Sequence, residues 1–274
     1  QSSRGVFKAL VGSGKVPERL LSRTLLSPSV AKGYKLSDRL RVLPGGAALI
    51  MPEEVLVIAD LHLGCEAALE QEGLSLPRVQ TRKIGSYVRE LIDSVSPSRL
   101  IVAGDLKHNF SRNLAQEWED VSRFVRDLSE AAPMVVVKGN HDNFLGSILR
   151  ELGTPLVRET EVGGVRVAHG HSGAPSDIPT IIGHIHPSIG LRDGVDARTK
   201  DRCFLYNERA QMLILPALSL VASGLDVVEQ TDSDRSSPFL PANGLVDFVP
   251  ISFAEGRPLR FPPVGALRAI RSSD

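Results

Sequence analysis

Apolar residues first gather into a regular pattern after Arg41. "AALI" and "EVLVIAD" read as two adjacent strands joined at "MPEE", with apolar and β-branched residues between turn signals. The segment "PRVQTRKIGSYVRELIDSV" opens on a proline and places Val79, Ile84, Val88, Leu91, Ile92 and Val95 along one helical stripe. A strand "RLIVAGD", a helix "NLAQEWEDVSRFVRDLSEA", a strand "MVVVKGN" and a short helix "FLGSILREL" follow. After Gly153 the helical period fades. "PLVRET", "VRVAHG", "TIIGHI", "RCFLYN", "MLILPAL" and "GLVDFVPISF" are strand candidates, several linked as hairpins. Alternating strands and helices, then mostly strands, predict mixed sheets with helices packed outside.

Flanking segments break this pattern. Residues 1–37 hold two short amphipathic pieces, "VFKAL" and "VPERLLSRTLL", around "VGSGK". That stretch resembles the end of a phosphate-binding loop, but the glycine spacing fails, Val16 follows the lysine, and no strand precedes it. Residues 229–243 form a polar, proline-containing loop with the composition of a mobile segment. The expected organisation is a basic extension over 1–37, one domain over 38–255 and a tail over 256–274.

Composition adds exclusions. Of 274 residues 42% are hydrophobic, enough for one large globular core. Formal charge is zero, yet residues 1–41 carry nine Lys/Arg against two Asp/Glu, so the entry is basic and the body mildly acidic. A basic arm can follow phosphates or simply form a solvated helix. Two cysteines, Cys65 and Cys203, make neither a disulfide framework nor a C-x-x-C metal pattern. No apolar run of about 18 residues and no apolar leader core appear, so an intracellular, cytoplasmic protein is expected.

The chemistry lies in the histidines. All seven follow apolar strand-like runs, in five clusters: "ADLHLG" (59–64), "GDLKH" (104–108), "GNHD" (139–142), "HGH" (169–171) and "GHIH" (183–186). One histidine at a strand end is usually an ordinary surface or core residue; seven there point to a site, because ligands collect beyond the carboxyl ends of strands. Carboxylate oxygen mixed with imidazole nitrogen suits Mn, Fe or Zn better than Ca. Seven such donors are too many for one transition metal and fit two ions sharing a carboxylate.

In this order the clusters resemble the calcineurin-like metallophosphoesterase superfamily, over roughly residues 40–255. The resemblance implies a four-layer αββα sandwich of two mixed β-sheets flanked by helices. It further implies one metal held by Asp60, His62 and His186, a second by Asn140, His169 and His184, and Asp105 bridging both. Two divalent ions are implied, Mn first, with Fe, Zn, Mg and Ni as alternatives. His141 is the implied non-ligating residue facing the substrate phosphate, and Gly104, Gly139 and Gly183 the implied tight turns. In "GDLKH" a histidine stands where many relatives have a carboxylate, which implies that His108 lies near the site and contacts a phosphate oxygen or the leaving group. Asp142 either orients His141 or caps the turn, and His171 either supports the ligands or lines the cleft. Lys107 is expected at the surface and Cys65 as a buried, inert thiol.

The run continuing to "GHIHPSI" and "LPALS" is similar to intracellular phosphoesterases of archaeal type and to the phosphodiesterase found with bacterial DNA-ligase repair systems. The expected function is therefore a two-metal phosphodiesterase or nuclease on DNA or RNA, using a metal-bridging hydroxide, with repair proteins as candidate partners and no membrane. A phosphomonoesterase or nucleotide phosphatase, and a non-catalytic interaction protein, are the rivals. Substrate, native metal, endo- or exonuclease action and oligomeric state are left open by the sequence.

Overall fold

The computed structural model describes residues 33–71, 73, 77–110, 115–192, 198–222, 224–229 and 236–271. The two N-terminal amphipathic pieces, Arg112 and residues 230–235 of the polar loop lie outside the described residues.

The first sheet has seven strands in chain order: β1 (Tyr34–Lys35), β2 (Leu40–Leu43), β3 (Ala47–Ile50), β4 (Val55–Ile58), β5 (Arg99–Ala103), β6 (Met134–Val137) and β7 (Leu156–Val157). From β1 to β4 the pairing is antiparallel; from β4 to β7 it is parallel. Parallel neighbours need long crossovers. These are helices α1 (Cys65–Gln71) and α2 (Gln80–Val95) between β4 and β5, α3 (Ala115–Ser129) before β6, and α4 (Leu145–Glu151) before β7.

Alternation divides β4 between two cores. Leu56 and Ile58 face the helices, where Ile84, Val88, Leu91, Val121, Phe124 and Val125 cover them. Val55 and Val57 face the second sheet, packing with Val165, Val167, Ile181, Phe204 and Leu213. A strand buried on both faces reads as a continuous apolar run, which is why "VLVI" shows no polar alternation.

The second seven-stranded sheet runs β17 (Arg257–Arg260), β16 (Val249–Ala254), β13 (Phe204–Asn207), β14 (Met212–Ile214), β10 (Thr180–Ile182), β9 (Val165–Ala168), β8 (Glu159–Val162). A smaller sheet joins β12 (Arg198–Arg202), β11 (Pro187–Arg192) and β15 (Leu225–Asp226). The outer face of the second sheet is covered by Phe239, Leu245, Phe248 and Val264, the last on helix α5 (Val264–Arg271). The four layers are thus present, with the fourth made largely of turns and one helix. The chain continues past residue 255 into β17 and α5, and Val264 is fully buried. Among the described residues no helix is long and apolar enough to cross a membrane.

Ile101 on β5 is fully buried between the two sheets. Ile101→Ala should lower unfolding free energy by about 2–5 kcal/mol, read as a lower urea midpoint at unchanged slope. A loss below about 1 kcal/mol would show that the inter-sheet layer is not tightly packed there.

Candidate metal centre

The carboxyl ends of β4, β5 and β6 lead into the clusters with Asp60 and His62, Asp105 and His108, and Asn140 and His141. From the second sheet, β9 leads to His169 and β10 to His184 and His186, and these two strands are parallel. Asp60, His62, Asp105, His184 and His186 all have left-handed backbone, with φ of 56°, 49°, 49°, 67° and 50°. Residues with a Cβ rarely adopt it, and each such position costs about 1–3 kcal/mol. Neighbouring backbone holds them: Asp60 N–H donates to the Gly104 carbonyl at 3.0 Å, His62 N–H to the Asp105 carbonyl at 2.9 Å, and Ser219 N–H to the Asp60 carbonyl at 3.0 Å. Gly104, at φ 91°, is required twice over, since a Cβ there would stand 2.2 Å from His169 Nδ1. At Gly139 the demand is close approach alone, because a Cβ would meet Asp105 Oδ1 at 2.1 Å.

Both carboxylates divide their oxygens. Asp60 Oδ2 accepts the His184 N–H at 2.9 Å, while Oδ1 lies 3.3 Å from His186 Nε2 and 3.6 Å from His169 Nδ1. Asp105 Oδ1 accepts the His141 N–H at 2.9 Å, while Oδ2 lies 3.4 Å from His169 Nε2 and 3.9 Å from His62 Nε2. His62 Nε2 and His186 Nε2 are 3.5 Å apart. Asn140 Oδ1 is 3.1 Å from His169 Nε2, and the His184 ring centroid is 5.0 Å from that of His169.

These residues suit a cation. Donor atoms about 2.1 Å from one ion stand about 3.0–3.4 Å apart, close to the separations here. Donor atoms of Asp60, His62, Asp105 and His186 lie within 4.8 Å of one another, as do those of His62, His108 and His141. Asp60 Oδ1 and His62 Nδ1 are buried with no hydrogen-bond partner among the described residues. A buried carboxylate oxygen without a hydrogen-bond donor is costly unless a cation satisfies it.

Charge is distributed unequally. Burial, reinforced by His186, pushes His62 well below the ordinary histidine value. Burial and then His169 push His184 down to about 4. Burial and then His141 bring His108 down to about 4, so it is neutral at pH 7. His169 goes the other way: burial opposes its charge, but Asp105 and Asp60 hold it up at about 9. Its Nδ1 donates to the Ala103 carbonyl at 3.0 Å and its Nε2 faces only acceptors, which explains the imidazolium. Against burial, His169 and His62 keep the Asp105 carboxyl below the usual carboxylate range.

Around this core, the His141 ring lies edge-on to His62 at 4.9 Å and beside His108 at 5.8 Å. Its Nδ1 meets the His108 carbonyl, an acceptor only, so Nδ1 carries the proton. Of the two alternatives for Asp142, orienting His141 or capping the turn, its hydrogen bonds are those of a cap. Its carboxylate caps two loops, accepting Gly139 N–H at 2.8 Å and Lys107 N–H at 3.2 Å, and burial raises it to about 6. His171 packs against His169 and His184, at 5.2 and 6.2 Å between centroids.

Lys107 is not at the surface. It is fully buried, with its ammonium on the Asn109 carbonyl and 3.9 Å from Glu117 Oε2 on α3. Extended alternation implies a solvated side chain; instead the loop curls back onto the helix. Cys65 is buried, and its thiol is pushed up by burial and Glu66, so it is no thiolate.

Two supports escape sequence reasoning. Buried Gln80, at the start of α2, donates to the His62 carbonyl at 2.9 Å and accepts from Ser219 Oγ at 3.1 Å and Leu220 N–H at 3.0 Å. It ties the His62 loop to the segment beneath Asp60. Arg202 donates to the Leu218 and Ser219 carbonyls of the same segment. Neither belongs to a cluster; the serine of "LPALS" is the nearest hint.

The family model for calcineurin-like phosphoesterases matches residues 54–203, more than half the chain. The chain belongs to the calcineurin-like phosphoesterase family. Among solved structures, the nuclease MPE of Pseudomonas putida is similar, with a TM-score of 0.59 and 21% identity over 80% of this chain and 94% of that one. The phosphoesterase Yfce of E. coli is 18% identical over 60% of this chain and 79% of that one, with a TM-score of 0.35. No curated protein matches. Membership makes the chain a divalent-metal-dependent phosphoester hydrolase, and the Asp/His cluster at the strand ends is where metal could bind.

Because His169 is held as a cation up to about pH 9, an ion that takes its Nε2 must displace a proton. Between pH 7 and 9 metal affinity should rise up to about tenfold per pH unit, then flatten, with about one proton released at pH 7. Calorimetry in buffers of different ionisation enthalpy measures this. Binding with no proton release at pH 7 would remove His169 from the ligands.

Proposed function

We propose that this calcineurin-like phosphoesterase is a two-metal phosphodiesterase acting on nucleic acid. The observation that carries the reading is the placement of Asp105 Oδ2 between His62 Nε2, at 3.9 Å, and His169 Nε2, at 3.4 Å. One carboxylate oxygen shared by two imidazole groups is what a bridging ligand requires. Asp60, His62 and His186 would hold one ion, and Asn140, His169 and His184 the other. When bound, the ions supply Lewis-acid stabilisation of the phosphate and a nucleophilic water at neutral pH, with Mn the first candidate and Fe, Zn, Mg and Ni the alternatives.

The residues of the chain do the rest. His141 keeps its Nδ1 proton on the His108 carbonyl, which leaves the other nitrogen to serve the phosphate or the leaving oxygen. His108, neutral at pH 7, offers one N–H beside it without adding charge. That arrangement suits a diester, which carries one negative charge fewer than a monoester dianion. Lys107 gives no support to phosphate binding because it is buried, whereas Lys138 is exposed. The neighbour of like fold is described as a nuclease, which agrees with this reading. A cytoplasmic location and repair-protein partners belong to the same proposal.

Asp105→Asn keeps an acceptor for the His141 N–H but removes the shared charge, so elemental analysis should find both ions lost and diester hydrolysis abolished. Two ions per chain in that variant would end the bridging assignment.

With Mn²⁺ supplied, the wild type should hydrolyse a generic diester and single-stranded DNA well above a monoester. His141→Ala should keep its metal and lose roughly 10²–10⁴-fold in turnover, and His108→Ala should narrow the diester preference. Monoester turnover equal to or above diester turnover, without nucleic-acid cleavage, would make the protein a phosphatase. Metal lost together with the His141 side chain would make that residue a ligand.

A further inference from the structure

Among the described residues, the exposed large hydrophobic side chains include only two aromatics, Phe110 at 55% and Phe144 at 62%. Both stand on the loops that bring His108 and His141 to the metal centre, two and three residues further along the chain. The Phe110 ring lies 6.1 Å from the His141 ring, edge-on at 85°. Phe144 has φ 67° at the N-cap of α4, a position that favours Asn, Asp, Ser or Gly. An aromatic that is both solvent-exposed and left-handed is unfavourable for folding on two counts. Strain of this kind gathers at functional sites.

Hydrogen bonds tie the two loops together. Asn143 Nδ2 donates to the Phe110 carbonyl at 3.4 Å and to the Asn140 carbonyl at 3.5 Å. His141 Nδ1 is bound to the His108 carbonyl, and the Asn109 N–H and carbonyl are held by Glu117 and Lys107. The rings therefore sit on a backbone fixed relative to the imidazoles that would face a phosphate.

We propose that Phe110 and Phe144 form a stacking platform for a nucleobase adjoining the scissile phosphodiester, which makes single-stranded nucleic acid the preferred substrate. This rests on the phosphodiesterase reading above and adds the substrate's form to it. Stacking is tolerant of sequence, because every base presents a π-face, and it contributes about tenfold or more per base. A base within a duplex keeps its faces against its neighbours and must leave the stack first. Single strands, flaps and frayed ends thus bind without that cost. The platform needs few aromatics, only two correctly placed, so a 5% aromatic content is no obstacle.

The test uses the Mn²⁺-loaded full chain and two single-stranded oligomers of equal length, one with bases and one built from abasic residues. Wild type should have a KM about tenfold lower for the base-bearing strand. Phe110→Leu and Phe144→Leu should each shrink that ratio, with metal content at the wild-type level, and Phe110→Trp should restore it. A strand carrying 2-aminopurine should be quenched on binding wild type and less so on binding Phe110→Leu. If wild type cleaves the base-bearing strand and neither leucine variant changes the ratio or the quenching, the platform is wrong while the nuclease reading stands. If wild type hydrolyses a simple diester but neither oligomer, both readings fall together.

Discussion

The centre depends on two buried carboxylates that each do two things at once. Asp60 and Asp105 give one oxygen to a backbone N–H from another loop and turn the other toward imidazoles. The Asp60 bond to His184 joins the first sheet to the second, and the Asp105 bond to His141 joins β5 to β6. The same two side chains that would carry metal through one oxygen therefore close the loops through the other. A carboxylate this buried is costly unless paired, so the loops and the donor set are stable only together. The left-handed backbone at five of these positions is what turns the side chains inward, and its cost is met by the packing and hydrogen bonds behind the loops.

How much of this could be read from the sequence follows the range of each interaction. Strands β3 to β6 were legible because strands buried on both faces are continuous apolar runs, and α2 and α3 because one apolar stripe covers a sheet. The polar clusters were legible because they begin where those runs stop. Strand β17 was not, since all four of its residues are exposed and only its pairing with β16 makes it a strand. Helix α1, at seven residues, spans too few turns to show a period. Gln80 and Arg202 were invisible for another reason. Gln80 meets Ser219 across 139 residues, a contact no local pattern encodes.

Local reasoning also misplaces side chains when a loop bends. Alternation along an extended "GDLKH" sends Lys107 to solvent, but the Asp105 residue is left-handed and the chain turns there. Leu63 and Lys107 then form a parallel bridge beside the first-sheet strands, and the lysine runs inward to α3. The same turn lets His108 N–H reach the Leu63 carbonyl at 3.1 Å, which sets the imidazole next to His62 and His141. One backbone conformation thus removes a cation from the proposed substrate surface and brings a neutral donor to it.

The buried Lys107–Glu117 pair makes sense in these terms better than as a source of stability. Removing two charges from water costs several kcal/mol per ion, and replacing a buried pair by apolar residues of equal volume is often neutral or stabilising. What an apolar pair could not do is hold Asn109 at both its N–H and its carbonyl, as Glu117 and Lys107 do. Gly64 lies against Glu117 so closely that a Cβ there would stand 2.4 Å from the glutamate Cγ, so the His62 loop is braced by the same residue. The pair therefore fixes one loop bearing His108 and Phe110 and supports another bearing His62. Precision within a fraction of an ångström is what a metal and phosphate site demands of its surroundings, and directional bonds to backbone supply it where apolar packing cannot.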